Sequence, residues 1–470
     1  MKVQFCGAAR VVTGSSHLIT LDSGYTILLD CGLYQGRNKD MQAFNKNFYF
    51  EPSDLDCVIL SHAHIDHSGR LPKLVGDGFD GCIHSTHATR SLCAIMLLDS
   101  AFIQERDAEW FNKRQLKKKK SKRKPLREPL YTKQDVQSTM ELFQSYSYDR
   151  WYRVNKEVEL LFKDAGHILG SASVTLRITE NGKTTMLGFT GDIGRPNRPI
   201  LKDPQPMPPV DYLLCESTYG DKVHDGAPAE AGKFLRIIQE TCVEKRGKLI
   251  IPAFSVGRTQ EIVYMLDQLE TAGKLPRIPV YVDSPLAVNA TEVFGVHPEC
   301  FDNQLNEYLL VDDNPFGFKR LHYVRDVEES KSLNDTDDPC IIISSSGMMN
   351  AGRVRHHIYN SIQNPKNTLL IVGYCSPETL GGQLRAGATE VRMFGETLPV
   401  RFQIEIMDSF SAHADRNEIV EFLDNQRGRI QHIYLVHGEL DRQESLAALL
   451  EENKLGKVHI PELGEVFPIG

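Results

Sequence analysis

Ser61-His62-Ala63-His64-Ile65-Asp66-His67 is the stretch on which the reading of this chain turns. The apolar run Cys57-Val58-Ile59-Leu60 before it reads as a buried strand, and Ser68-Gly69-Arg70-Leu71-Pro72 after it as a turn entering a helix. Three histidines and an aspartate, all potential metal ligands, therefore crowd one loop at a strand end. His62 and His64 are two apart, so on extended backbone they point to the same side. Asp66 and His67 follow once the chain has turned and can face a second point nearby, so one short loop could serve two metal ions. A polar loop of solvated histidines is a poor account of that density of N and O donors.

At 470 residues the chain is too long for one ordinary core, and two domains are expected. Its 41% hydrophobic and 25% charged residues are those of a globular protein, which excludes a disordered or fibrous class. No apolar run approaches the ~20 residues that span a bilayer, so no membrane partner is expected. Met1-Lys2-Val3-Gln4-Phe5-Cys6-Gly7 reads as a strand rather than a leader, and a cytoplasmic location is the expectation. The ten cysteines form no Cys-x-x-Cys pair and read as reduced core thiols. A net charge of -8 excludes a basic field over the whole surface, so a polyanion would need a local basic groove.

Other candidate ligands fall at strand ends in the same way. Strands over 3–5, 17–21 and 26–29 lead to Asp30-Cys31-Gly32. A strand over 158–163 leads to Asp164-Ala165-Gly166-His167. Asn181-Gly182 joins strands at 173–178 and 184–189 as a hairpin, and its second arm ends in Thr190-Gly191-Asp192-Ile193-Gly194. Between these lies a helical stretch, about 86–110, and then the run Lys113-Arg114-Gln115-Leu116-Lys117-Lys118-Lys119-Lys120-Ser121-Lys122-Arg123-Lys124. With almost no apolar content that run reads as a solvated, mobile insertion, a reading compatible with an electrostatic arm for RNA phosphates.

Pro204-Gln205-Pro206-Met207-Pro208-Pro209 is the candidate boundary. Beyond it a strand at 212–215 ends in Glu216-Ser217-Thr218-Tyr219-Gly220, and strands then alternate with helices, as in an α/β domain on a mainly parallel sheet. Arg258, Ser345 and Ser346 sit on its strand-end loops as phosphate-binding candidates, with helix capping and turn formation as the competing account. The last segment returns to the first texture. It carries Asp408-Ser409-Phe410-Ser411-Ala412-His413-Ala414-Asp415, and a strand at 431–436 ending in His437-Gly438-Glu439.

His62-Ala63-His64-Ile65-Asp66-His67 matches the HxHxDH signature of the metallo-β-lactamase superfamily, and Asp30, His167 and Asp192 match its other ligand motifs. Glu216, His413 and His437, in their settings Cys-Glu-Ser-Thr-Tyr-Gly, Phe-Ser-Ala-His-Ala-Asp and Leu-Val-His-Gly-Glu, resemble the added motifs of the β-CASP nucleases. The resemblance covers nearly the whole chain and is nearest in kind to the RNA-cleaving members, which have His at the position of His437. It implies an αββα metallo-β-lactamase sandwich made of residues 1–208 and 401–470. An inserted α/β β-CASP domain on a mainly parallel sheet, residues 209–400, would cap its active-site edge.

The resemblance also implies roles. His62, His64 and His167 would bind one zinc; Asp66, His67 and His437 the other; Asp192 would bridge them, with manganese the alternative ion. His413, paired to Glu216, would be the general acid, with Asp66 and Asp30 completing the catalytic set and Asp30 supporting rather than ligating. The implied activity is hydrolysis of single-stranded RNA by a two-metal hydroxide mechanism. Endonucleolytic and 5′-exonucleolytic action are both open, as is a homodimer. A small-ester or thioester hydrolase would need no inserted domain, a DNA-processing nuclease is disfavoured by His437, and an inactive scaffold would have lost ligands. His17, His84, His87, His224, His356 and His357 read as structural or surface residues.

Overall fold

The computed structural model describes residues 1–36, 43–118, 124–224, 230–373, 375–376, 378–407 and 412–470. Residues 119–123 of the basic run and Asp408-Ser409-Phe410-Ser411 lie outside the described residues. The chain forms two compact units, Met1–Val223 with His413–Gly470, and His224–Ala412.

The first unit is built on two seven-stranded sheets. One contains β1 (Lys2–Phe5), β2 (His17–Thr20), β3 (Thr26–Leu29), β4 (Cys57–Ile59), β5 (Cys82–Thr86) and β6 (Phe143–Tyr146), with the chain's last strand, Val466–Pro468, added beside β1. The other runs outward from β7 (Trp151–Arg153) through β8 (Val158–Asp164), β9 (Ala172–Glu180), β10 (Lys183–Phe189) and β11 (Tyr212–Glu216). Strands His432–Val436 and Lys457–His459 complete it. Side chains alternate along each strand. Leu214, Tyr434 and Val436 thus enter the core between the sheets with Phe5, Ile19, Ile59, Phe162 and Phe189. Their neighbours Leu213, Cys215, Ile433 and Leu435 instead meet Ile419, Leu423, Leu446 and Leu450 of two outer helices. A 30-residue helix, His87–Leu116, packs on β5 and β6 of the first sheet. The layers are therefore helix, sheet, sheet, helix.

Local chemistry explains the joints. Thr86 caps the long helix by accepting from the Thr89 N–H at 3.2 Å. Asn181 and Gly182 both have positive φ, 51° and 78°, as a two-residue hairpin turn between β9 and β10 requires.

The second unit carries a six-stranded, wholly parallel sheet. Its strands are β12 (Leu249–Pro252), β13 (Val280–Asp283), β14 (Leu321–Tyr323), β15 (Ile341–Ser344), β16 (Thr368–Ile371) and, after a small hairpin of β17 (Glu390–Met393) and β18 (Glu396–Pro399), β19 (Gln403–Ile406). The spatial order is β14-β13-β15-β12-β16-β19.

The units divide later than composition suggests, at 223/224 and 412/413 rather than at 208/209 and 400/401. β11 is bonded in parallel to both β10 and His432–Val436, so the proline-rich connector feeds a strand of the first unit. β19 pairs with β16 and belongs to the second. β6 and β7 escape sequence reading because each is the short outer strand of its sheet, with only one neighbour to satisfy.

Candidate metal centre

The 62–67 loop leaves β4 extended and turns at Ile65–Ser68, a single helical turn carrying Asp66 and His67. Close backbone contacts hold it. A Cβ on Gly32 would lie 1.6 Å from the Asp66 carbonyl oxygen, so only glycine fits there, and that oxygen also accepts from the Ser15 N–H at 2.8 Å. The His167 and Asp192 loops touch in the same way. Gly194 donates to the Ala165 carbonyl at 2.7 Å, and a Cβ on Gly194 would lie 1.9 Å from the Gly166 oxygen. Asp30 and His437 adopt left-handed backbone, φ 59° and 54°, a strain found where surrounding structure fixes a functional side chain.

These loops bring together two sets of donors. His62 Nε2 and His167 Nε2 stand 3.1 and 3.2 Å from His64 Nδ1, and both are 3.4 Å from Asp192 Oδ2. His67 Nε2 stands 3.1 Å from His437 Nε2 and 3.3 Å from Asp192 Oδ1, while His437 Nε2 is 3.5 Å from Asp66 Oδ2. The Asp192 carboxylate thus divides its oxygens between the two sets. Four ligands at 2.0–2.1 Å round a tetrahedral ion stand about 3.3 Å apart, and these spacings agree with that.

The far sides of the rings fix their tautomers. Asp30, fully buried, accepts from His67 Nδ1 at 2.6 Å, from the Ser61 hydroxyl at 2.9 Å and from the Ser61 N–H at 2.8 Å. With its hydroxyl proton given to Asp30, Ser61 Oγ accepts from His62 Nδ1 at 3.0 Å. Thr218 does the same for His437: its hydroxyl donates to the His437 carbonyl at 3.1 Å and accepts from Nδ1 at 2.9 Å. Each of these three rings therefore turns an Nε2 inward, the arrangement that prepares imidazole for a metal.

Burial, reinforced by the crowding of the rings, holds the pKa of His62 low, and those of His64 and His167 fall for the same main reason, His64 to about 3. These rings are neutral and offer lone pairs. Burial also opposes charge on His67, but Asp192 and Asp30 outweigh it and raise its pKa well above the ordinary value. Asp192 is ionised despite burial, because His437, His67 and His62 surround it. Among the described residues no donor meets its buried Oδ1 with good hydrogen-bond geometry; His67 Nε2 and His437 Nδ1 stand 3.3 and 3.6 Å away. An anionic oxygen so placed among imidazole nitrogens fits a divalent cation, whose binding displaces protons from such ligands.

Beside this cluster, His413 Nδ1 lies 3.2 Å from Glu216 Oε2, and Glu216 is fully buried at the end of β11. Burial disfavours the imidazolium, but Glu216 and then Asp192 more than compensate, and the pKa rises to about 9. The side chain keeps 20% exposure, so the protonated ring is not sealed from solvent.

The structure brings together, in the first unit, Asp30, His62, His64, Asp66, His67, His167, Asp192, Glu216, His413 and His437. Arg258, Ser345 and Ser346 lie in the second. There Arg258 is buried against Glu261, and Ser345 bonds to Ser284 at 2.6 Å and Ser255 at 2.8 Å. Sequence reading missed Ser61 and Thr218. The one signal for them is adjacency: Ser61 precedes His62, and Thr218 follows Glu216 by two.

A two-sheet sandwich with converging His and Asp side chains at its strand ends is the scaffold of a metallo-hydrolase. Three families match along the chain: the Metallo-beta-lactamase superfamily over residues 9–228, the Beta-Casp domain over 259–384 and the Zn-dependent metallo-hydrolase RNA specificity domain over 397–461. The chain belongs to the β-CASP branch of the metallo-β-lactamase superfamily. Ribonuclease TTHA0252 of Thermus thermophilus is 34% identical over 470 residues, 100% of both chains. Transcription termination factor FttA of Methanosarcina mazei is 29% identical over 452 residues, 93% of this chain and 67% of that one. RNase J-like protein of Methanocaldococcus jannaschii is 30% identical over 446 residues, 94% of each chain. Among the described residues no helix is long and apolar enough to cross a membrane.

Proposed function

We propose that this protein is a ribonuclease that hydrolyses phosphodiester bonds of single-stranded RNA with two zinc ions, in the cytoplasm. The observation that carries the proposal is Asp192, whose two oxygens face two separate sets of nitrogens and whose flank holds the His413–Glu216 pair. The names of two relatives, a ribonuclease and an RNase J-like protein, support RNA as the substrate. Ten free cysteines suit a reducing compartment.

His62, His64, His167 and Asp192 would hold one ion, and Asp66, His67, His437 and Asp192 the second. When bound, the ions supply Lewis-acid chemistry: positive charge against the phosphate oxygens and acidification of water. The chain's own groups do the rest. Glu216 fixes the His413 ring through Nδ1 and stabilises its charged form, so that Nε2 carries the proton for the departing ribose oxygen. Asp30, Ser61 and Thr218 lock the rings of His67, His62 and His437, so no reorganisation is needed when substrate arrives. In the second unit, Ser345 and Ser346 at the C-terminal end of β15 are candidates for phosphate contacts; Arg258 would first have to leave Glu261.

The test is cleavage of labelled RNA and of matched single-stranded DNA, with and without chelator. RNA cut faster than DNA, with cutting abolished by chelator, is expected. Cutting that persists in chelator, or a His62→Ala variant as fast as the parent, would overturn the proposal.

A further inference from the structure

The outer half of the long helix is built unlike the rest of the first unit's surface. From Ala101 onward its buried residues are Ala101, Ala108 and Gln115, a seam spaced by seven. The opposite face carries Phe102, Arg106, Trp110 and Arg114, spaced by four, with Phe102 41% and Trp110 60% exposed. Each arginine covers the aromatic ring one turn before it: Arg106 lies 5.3 Å from the Phe102 centroid and Arg114 4.4 Å from that of Trp110. Steps of four along a helix rise about 6 Å.

The chain then returns along this helix. The Lys124 N–H donates to Gln115 at 3.2 Å, Arg127 and Asn112 exchange two bonds at 2.8 and 2.9 Å, and the Leu130 N–H donates to Gln104 at 3.0 Å. The return segment from Lys124 to Leu130 is therefore pinned to the helix. It places Arg127 3.9 Å from the Phe111 centroid and Lys133 4.8 Å from that of Phe102. Glu109 and Glu105 are paired with Lys113 and Lys133. Residues 113–127 hold ten Lys and Arg and no Asp or Glu, in a chain of net charge -8.

We propose that this face is a holding site for single-stranded RNA outside the metal centre. Bases stack on Phe102 and Trp110 in place of Arg106 and Arg114, which swing from the rings to phosphates and are joined there by Arg127. Exposed rings supply stacking for any base, and an acid-free basic segment selects a polyanion; together these are the two elements of sequence-tolerant single-strand binding. The helix ties the site to the centre, since its first turn is anchored through the Thr86 and Thr89 hydroxyls to the Gly170 carbonyl, three residues past His167. The inference rests on the ribonuclease reading and adds to it a grip on RNA remote from the reacting bond.

Trp110 and Trp151 are the two tryptophans, so Trp151→Phe makes Trp110 the reporter. Titrating that full-length variant with a 20-nucleotide oligouridylate in chelator, where nothing is cut, should give saturable quenching. Arg106, Arg114 and Arg127 changed together to Gln should lower the slope of log K against log salt by about 2. Phe102→Ala should weaken binding by about tenfold. An unquenched Trp110, an unchanged salt slope, or equal quenching by polyglutamate would overturn the RNA assignment; the last would make the face a site for an acidic protein. A tetranucleotide too short to reach this face separates the two readings. Cleavage of the tetranucleotide at the parental rate by the Gln variant, with a raised KM for long RNA, supports the holding site. Failure of the parent to cut either RNA while Trp110 is still quenched removes the ribonuclease reading alone.

Discussion

Each unit buries a charged cluster around one aspartate, and the two clusters are opposites. In the second unit Asp283 accepts from Arg353 at 2.7 Å, from His357 at 2.6 Å and from Ser330 at 2.6 Å. Burial would raise its pKa, but those three donors outweigh burial and lower it. Every demand of that carboxylate is met by protein, and it needs nothing further. In the first unit Asp192 is as deeply buried, yet among the described residues no donor meets Oδ1 with good hydrogen-bond geometry, and the groups 3.3–3.6 Å from it are imidazole nitrogens. A buried carboxylate is thus no sign of a site by itself; one set among converging imidazole nitrogens is.

The strongest way to break this contrast is to remove each charge. Asp192→Asn should cut RNA cleavage by at least about 10³-fold, or ~4 kcal/mol of barrier, measured by initial rates, while leaving thermal stability of the chelated protein unchanged or higher. Asp283→Ala should do the reverse: about 3 kcal/mol less stability in urea unfolding, from stranding Arg353 and His357, with metal content retained. Thr218→Val removes the hydroxyl that orients His437 and should weaken metal affinity about 10–100-fold in a competitive chelator titration, with the fold intact.

A third buried carboxylate sharpens the comparison. Asp164 accepts the Gly166 N–H at 2.9 Å, and burial carries its pKa up to about 7. Because the folded value lies above the unfolded 3.8, the stabilisation belongs to the protonated form. It is complete below about pH 4 and lost as pH rises through 7. Asp164→Asn keeps the acceptor and cannot ionise, so its melting temperature should exceed the parent's by about 2–4 °C at pH 8, with the difference shrinking steadily as pH falls towards 4.

What the sequence made legible follows the range of the interactions concerned. The 62–67 loop was readable because its donors are adjacent, and His167 and Asp192 because each ends a strand beside glycine. Asp30 was uninformative alone and took its supporting role from the family resemblance; its bonds to Ser61 and His67 fit that role. The boundary near 209 was not, because β11 is claimed for the first unit by a strand more than 200 residues later, a pairing without local signature. Ser61 and Thr218 were silent for a similar reason: a hydroxyl that fixes a tautomer has no period. The bonds that pin 124–130 to the long helix were silent because composition records charge and not the side-chain amides of Gln104, Asn112 and Gln115 that make them.

The central claim is that Asp192 serves two metal ions, and counting them tests it most directly. Plasma mass spectrometry of the purified full chain should find two zinc ions per chain, falling below one in Asp192→Asn and staying at two in Asp283→Asn. Fewer than one ion per parent chain after zinc loading, or two retained by Asp192→Asn, would contradict it.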